Sequence, residues 1–523
     1  MRALAEVLHG WGAIVSGSDL DLREVNSLAG QGITLFSGHA AENLPPQAEL
    51  VVHSNAVPPD NPELQRAAER GLRIRSYFQM LAELTAEGHL IAVAGTHGKS
   101  MTAALLGQIL SDAGSSPTVF CGAALHGRVS GGRPGSRDLF VAEACEYRRN
   151  FLRLRPQQAA ILGIEPDHFD CYPTSEDLAV AFTQFARQIP ATGYLLVRHG
   201  CAASQTAARA ASCRVESFGF AREADWSAEI RRGKATEERF TVTYRGRPQL
   251  DVQLPMPGRH QILNALAATV LSLQNGVAAE CIRNSLARFP GLKRRFEMVG
   301  CFNGTEWIDD YAHHPTEVET TLQTVKKIYP DRRVYCVFQP HQVLRTARLL
   351  DEFALSLQNA DIMLIAEIYR AREGSPQPGE ITAADLARRL REFGREKGEE
   401  GRRKGEGGRG KAEGGFNGPI PTAHCPLPTA HCPLPTTHYP LPTAHCPLPT
   451  THCPQPTAHY SLPTVYSPLH SPFAPAPSPL VPAIHGFPEI KNYLKSQLRA
   501  NEVLVTLGAG NIRKVFDDFF AGI

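Results

Sequence analysis

The stretch Leu90 to Met101, LIAVAGTHGKSM, limits what this chain can fold into more than any other. Its apolar run Leu90 to Ala94 predicts a buried strand, and Gly95-Thr96-His97-Gly98-Lys99-Ser100 predicts a tight turn into a helix beginning near Met101. A strand, a glycine loop and a helix in that order belong to a parallel α/β sheet. Such a loop cradles phosphate: glycines let backbone N–H groups approach an anion at a helix start, Lys99 adds a point charge, and Ser100 offers a hydroxyl to Mg2+. ATP is the expected guest. The full GxxxxGK[ST] pattern would need glycine where Val93 stands, so an ordinary strand-to-helix turn is the competing reading.

With 523 residues, 42% of them hydrophobic and 20% charged, the chain can bury more than one core and should divide into about three domains. A formal net charge of +2 gives no electrostatic reason to expect nucleic acid or an anionic membrane as partner. No apolar run approaches the roughly 18 residues of a membrane span, and the start MRALAEVLHGWGAIVSG lacks the features of a signal peptide. A cytoplasmic protein without membrane insertion is expected. Eight of the 12 cysteines are scattered with no CxxC pair, which suits free thiols in a reducing compartment.

Helix and strand patterns alternate along most of the chain. Residues 1–85 read as a Rossmann-like unit with a helix at Ala3 to Trp11 and strands at Ala13 to Gly17 and Glu49 to Ser54. This unit opens on a helix, so its first strand and glycine loop are missing, through a late start codon or a real loss. Residues 86–290 hold the phosphate loop and strands at Leu139 to Ala142, Ala159 to Ile164 and Tyr194 to Val197. Residues 291–523 form a third α/β unit, with strands at Glu306 to Asp309, Arg333 to Phe338, Ile362 to Ala366 and Val503 to Leu507. Residues 392–482 interrupt it with a Gly/Lys/Arg/Glu tract and a seven-residue repeat, TAHCPLP at Thr422, again at Thr429 and Thr443, with variants from Thr436, Thr450 and Thr457. Proline at that density predicts a disordered or polyproline-like insertion outside the core. Its His-Cys pairs suit metal poorly, because adjacent residues seldom serve one tetrahedral site.

Carboxylates and imidazoles gather at predicted strand ends, where parallel sheets bind ligands. Glu143-Ala144-Cys145-Glu146 and Glu165-Pro166-Asp167-His168 follow consecutive strands after the phosphate loop. Glu143 with Ser100 suits one Mg2+, and His168 suits a second; water-exposed loop carboxylates are the competing reading. Asp309-Asp310-Tyr311-Ala312-His313-His314-Pro315 and Phe338-Gln339-Pro340-His341-Gln342-Val343-Leu344-Arg345 follow strands of the third unit. Acidic and cationic groups there suit an amino acid zwitterion and an anionic intermediate. Arg294 and Arg295, at the junction, are phosphate-facing or merely solvated.

Taken in order, these segments resemble the Mur ligases, in particular their L-alanine-adding branch. The resemblance also rests on Pro257-Gly258-Arg259-His260-Gln261-Ile262-Leu263-Asn264, Arg294-Arg295-Phe296-Glu297, the continuation Thr316-Glu317 and Gly508-Ala509-Gly510. It implies three α/β domains: an N-terminal one for a UDP-sugar, a central P-loop ATPase and a C-terminal one for the incoming amino acid. It implies UDP-N-acetylmuramate and L-alanine as substrates, ATP and Mg2+ as cofactors, and an acyl phosphate formed in bacterial cell-wall precursor synthesis. A ligase adding a peptide or another amino acid to the same sugar nucleotide, and a truncated ATP binder without catalysis, are the alternatives.

By the same resemblance Gly95, Thr96, His97, Gly98 and Lys99 hold the ATP phosphates, Ser100 and Glu143 one Mg2+, and His168 the second. His260 and Asn264 sit by the adenine and Arg295 near the phosphates. Tyr311, His313, His314, His341 and Arg345 face the muramoyl carboxylate or the alanine, and Ser18 and Asp19 the UDP. Either His313 or His314 takes the amine proton. The chain departs from the family at Cys145, where aspartate is usual, at Gly163 and Gln261, where asparagine is usual, and at Gln342, where arginine is usual. No lysine lies between Lys99 and Lys234, so the carbamylated lysine of some sister ligases has no counterpart there.

Overall fold

A computed structural model describes residues 1–22, 25–371, 373–406, 479–482 and 486–515. The seven-residue repeat, and the metal reading weighed for it, lie outside the described residues. The described strands form sheets of ten, five, two and two strands.

Helix Arg2–Gly10 opens the chain and is followed by β1 (Ser16–Asp19), β2 (Thr34–Ser37), β3 (Leu50–His53) and β4 (Arg73–Ser76). β1 pairs in parallel with β2, and β3 with β4, but the two pairs are not hydrogen-bonded to each other. In a Rossmann sheet the strand preceding the first helix lies between such pairs; here they stand apart. β1 starts later than its apolar residues predict, because Gly12 at φ +91° and the bond from Ala13 N to Leu8 O wrap those residues into the helix terminus. The opening helix is anchored on the ten-stranded sheet: Glu6 accepts from the Ser130 hydroxyl, and Trp11 Nε1 donates to Gly135 O at 2.9 Å.

The ten-stranded sheet comprises β5 (His89–Ala94), β6 (Pro117–Phe120), β7 (Gly132–Arg133), β8 (Ser136–Glu143), β9 (Gln158–Ile161), β10 (Tyr194–Arg198), β11 (Arg214–Gly219), β12 (Trp226–Arg231), β13 (Glu238–Tyr244) and β14 (Arg247–Leu254). Its order is β14-β13-β12-β11-β10-β9-β5-β8-β6-β7, parallel from β12 to β6 and antiparallel at both edges. β5 lies near the middle, and both of its faces are buried. Ile91 and Val93 pack with Leu105 of helix Lys99–Asp112 and with Leu266 of helix Arg259–Gln274; Leu90 and Ala92 pack with Phe182 and Phe185 on the other face. The continuous apolar run is the signature of that two-sided burial. The β12–β14 meander is not anticipated by the sequence reading, since its turn, Arg245-Gly246 with φ of +48° and +75°, lacks the usual Asn-Gly or Asp-Gly signal.

The five-stranded sheet runs β15-β16-β19-β17-β18, built from β15 (Glu297–Phe302), β16 (Thr305–Asp310), β17 (Val334–Phe338), β18 (Ile362–Ile365) and β19 (Val503–Leu507). It is parallel apart from the β15–β16 hairpin. Helix Ala383–Glu406 continues past Glu392 into the Gly/Lys/Arg/Glu tract, whose Arg, Glu and Lys residues are good helix formers. The strand that follows the insertion in sequence, β19, enters the middle of this sheet.

Paired on one side only, β1 and β3 should open far more readily than β5. Hydrogen exchange is expected to exchange the Gly17 and Val52 amides at least about 100-fold faster than those of Ile91 and Val93. Equal protection across these strands would contradict the divided N-terminal sheet.

Candidate active site

The phosphate loop leaves the carboxyl end of β5 with Gly95 at φ +128° and Gly98 at φ +79°. A Cβ at Gly95 would lie 2.9 Å from Leu162 N, and one at Gly98 would fall on Asn264 Oδ1, so both positions need glycine for space as well as for conformation. Gly98 caps helix Lys99–Asp112, which therefore begins two residues earlier than predicted. Lys99 Nζ donates to Gly95 O at 2.6 Å and Thr96 O at 3.1 Å and lies 3.0 Å from Glu146. Burial alone would lower the pKa of this ammonium; Glu146 outweighs it and holds the pKa above its ordinary value. Ser100 is buried in the first turn of the helix.

Glu146 also reaches His168, whose Nε2 lies 3.4 Å from its Oε1. Glu143 accepts from Gly122 N at 2.5 Å and helps line a cavity of about 290 Å³ shared by Met1, Tyr77, Phe78, Gly122 and Cys145. Asn264 Oδ1 accepts from Thr102 at 3.4 Å, which puts the start of helix Arg259–Gln274 against the phosphate loop. Burial lowers the pKa of His260, on that first turn, to about 4 and keeps it neutral.

The carboxyl edge of the five-stranded sheet meets these loops directly. Arg345 Nε and Nη2 approach Asp167 Oδ1 at 2.8 and 2.7 Å, with side chains only 2% and 8% exposed. Burial would raise the Asp167 pKa, but His168 and Arg345 hold it far below the ordinary carboxylate value. Arg345 Nη1 donates to His341 Nδ1 at 2.7 Å, which leaves the His341 proton on Nε2. The His341 and His313 rings are 5.5 Å apart, and Tyr311 lies beside His313 at 5.2 Å and beneath Arg295 at 4.9 Å.

Glu317 ties the two edges together. Its carboxylate accepts from His313 N at 3.0 Å, lies 3.2 Å from His313 Nδ1, and bonds His97 Nδ1 in the phosphate loop at 3.0 Å. His97 Nε2 faces Glu165 at 3.4 Å. Burial would lower the His97 pKa, yet the two carboxylates raise it to about 10; Glu165 falls to about 2 against its own burial. His313 and His314 are not equivalent. His314 caps helix Pro315–Ile328, bonds Pro166 O through Nε2 at 3.2 Å, and is kept neutral by burial, its pKa lowered to about 4. The Nδ1 of His313 is held by Tyr311 O at 3.0 Å.

Ser18 and Asp19 lie at the end of β1. Ser18 Oγ donates to Glu63 at 2.9 Å and bonds His39 at 3.0 Å, and Asp19 accepts from Asp21 N at 3.0 Å.

Three family profiles match the chain: the Mur ligase family catalytic domain over residues 1–89, the Mur ligase middle domain over 93–272, and the Mur ligase glutamate ligase domain over 294–405. The UDP-N-acetylmuramate--L-alanine ligase of Salinibacter ruber is 39% identical over 396 residues, 75% of this chain and 83% of that protein. The chain belongs to the Mur ligase family. A protein of the same name from Acetivibrio thermocellus is 37% identical over 404 residues, covering 76% of this chain and 84% of its own length. The Mur ligase fold is also that of the crystal structure of UDP-N-acetylmuramate-alanine ligase from Thermotoga maritima. The two chains align with a TM-score of 0.71 at 22% identity, covering 100% of this chain and 97% of that one. Mur ligases are ATP-dependent ligases. No helix among the described residues is long and apolar enough to cross a membrane, and the described cysteines are free thiols.

The residues present fit the expected guests. The glycines are forced by the cradle they line, and Ser100 with Glu143 offers the hard oxygen donors that Mg2+ prefers. Three carboxylates that the sequence reading gave no role, Glu146, Asp167 and Glu317, make the contacts that hold Lys99, Arg345 and the histidines. Each had a local signal: Glu146 sits three residues after Glu143, Asp167 precedes His168, and Glu317 stands at the third helical position after a helix cap, where a carboxylate reaches back to the chain entering the helix.

The charges set a pH signature. The contribution of His97 to stability is complete below 6.5, its ordinary value, and is lost as pH rises toward about 10; that of Glu165 is lost as pH falls from 4.5 toward about 2. The melting-temperature deficit of His97→Gln should therefore be largest between 4.5 and 6.5 and should shrink steadily toward about 10. A deficit independent of pH over that range would contradict the paired imidazolium.

Proposed function

We propose that this Mur ligase joins L-alanine to the lactyl carboxylate of UDP-N-acetylmuramate, consuming ATP, as a step of peptidoglycan precursor synthesis. The relatives that share its sequence over most of their length carry that activity in their names. The observation that carries the reading is the shared Glu317, which joins the phosphate-loop His97 to His313 and so brings the phosphoryl-transfer machinery to the amine-handling edge.

In this reading residues 1–85 receive the UDP-sugar, with Ser18 and Asp19 toward the uridine diphosphate. Residues 86–290 bind ATP, and 291–523 bind the amino acid. The muramoyl end enters the cavity between Met1, Tyr77 and Glu143. A carboxylate is a poor electrophile toward an amine, so ATP first phosphorylates it to an acyl phosphate; the amine then attacks the carbonyl and phosphate leaves. Lys99 leaves its carbonyl partners for the phosphates and offsets the charge that develops there. Ser100 and Glu143 would hold one Mg2+ and His168 a second, which when bound neutralises phosphate charge and orients the transfer. His260 and Asn264 face the adenine side, and Arg295 the phosphates.

His313 is the better general base of the pair. Its Nδ1 is held by Tyr311 O and Glu317, which leaves Nε2 to accept a proton, whereas His314 uses both ring nitrogens in buried contacts. Arg345 is a positioning residue: Asp167 fixes it, and it fixes the ring of His341 through Nδ1.

Phosphate release from ATP should require UDP-N-acetylmuramate and L-alanine together, and Lys99→Ala should lower its kcat by at least about 1,000-fold with the fold intact by circular dichroism. Release with a peptide but not with L-alanine, or an undiminished rate in the variant, would overturn the reading.

A further inference from the structure

His97, Glu165 and His314 converge from three segments of the chain. His97 Nε2 lies 3.4 Å from Glu165 Oε2, His314 Nδ1 lies 3.9 Å from the same oxygen, and the three ligand atoms fall within 4.8 Å of one another. A tetrahedral ion with bonds of about 2.0–2.1 Å spaces its ligand atoms about 3.3 Å apart, so one pair already fits and the other two must close by about 0.6 Å and by up to about 1.5 Å, within reach of side-chain rotation. We propose that these three side chains form a binding site for a zinc-class dication, wedged between the phosphate loop and the start of helix Pro315–Ile328.

The hydrogen bonds behind the rings already select the atoms that would bind. His97 Nδ1 is bonded to Glu317, which leaves Nε2 pointing at the cluster; among the described residues this buried nitrogen has no hydrogen-bond partner. His314 Nε2 meets Pro166 O, an acceptor, so the proton sits there and Nδ1 carries the lone pair; Nδ1 accepts a long bond from Thr316 N at 3.4 Å, which an ion would displace. Backing of each imidazole by a carboxylate or a carbonyl is how metal-ligating histidines are oriented. Thr316 Oγ1 donates to Glu165 Oε2 at 2.7 Å and fixes the third ligand. Two imidazole nitrogens and one carboxylate oxygen favour zinc or cobalt over Mg2+, which prefers oxygen throughout. A fourth position is left for water. Without the ion, the protonated Nε2 of His97 faces Glu165 while Nδ1 faces Glu317; an ion at Nε2 takes the place of that one proton and releases it.

The site shares His97 with the phosphate loop, whereas His314 is not the residue chosen above as base, so the test reads metal binding itself and not turnover. The test titrates the full chain, without nucleotide, with Co2+. A tetrahedral visible band is expected with no accompanying thiolate-to-metal charge transfer in the near ultraviolet, since the site holds no sulfur. Any ion taken by the His-Cys repeat would carry that sulfur band and is told apart by it. His97→Gln and Glu165→Gln should each remove the sulfur-free band, Glu317→Gln should weaken cobalt affinity by about 10–100-fold, and His168→Ala should leave it unchanged. Near-ultraviolet circular dichroism identifies any variant that does not fold, in which case the graded loss in Glu317→Gln decides. A sulfur-free band that survives both ligand substitutions, one unaffected by Glu317→Gln, or cobalt bound only with the sulfur band, would overturn the proposal.

Discussion

The pairing of Arg345 with Asp167 is the contact on which the assembled site rests. Two full charges are taken out of water at 2.7 Å, one on the loop after β9 and the other on the helix after β17, and each is almost wholly enclosed. Removing one partner of such a pair commonly costs about 3–5 kcal/mol, because the survivor is left buried and unpaired. The contact is therefore a strong preference for one arrangement of the two sheet edges. Around it the same edges are joined again, by His97 with Glu317 and by Thr316 with Glu165 at 2.7 Å. In the proposed reaction phosphoryl transfer and amine attack would use different residues, and this set of contacts would bring them within reach of one acyl group.

The charge distribution of the loop follows from that enclosure. Lys99 is satisfied by two carbonyls and Glu146, and so stays charged in a buried position while no phosphate is bound. Glu146 also lies 3.4 Å from His168 Nε2. On the proposed reading, phosphate arriving in the cradle would replace partners already present, which would spare the fold an unpaired buried cation. The glycines at 95 and 98 are fixed by both conformation and space, since Leu162 and Asn264 occupy the volume a side chain would need.

Much of this was legible in the residues. The two-sided burial of β5 showed as an unbroken apolar run, and the loop after it as glycine, lysine and serine in fixed order. The strand ends of the second sheet announced themselves by DDYAHHP and FQPH. What stayed hidden was pairing. Nothing in the spacing of Glu146 and Lys99, or of Asp167 and Arg345, 178 positions apart, says that they touch, because register between sheets is a tertiary property. The choice between His313 and His314 was equally closed to a linear reading, since it turns on what each ring nitrogen meets across the sheet edges. The division of the first four strands into two pairs was not read from the residues, and the β12–β14 meander carried too weak a turn signal to be found.

A double-mutant cycle across Asp167 and Arg345 tests the central claim most directly, with kcat/KM for alanine-dependent phosphate release measured for wild type, Asp167→Asn, Arg345→Lys and the double variant. If the two side chains act as one unit, the double variant should lose scarcely more than the worse single variant, a coupling of at least about 1.5 kcal/mol. Losses that simply add would mean that the two charges act independently and that something else brings the sheet edges together.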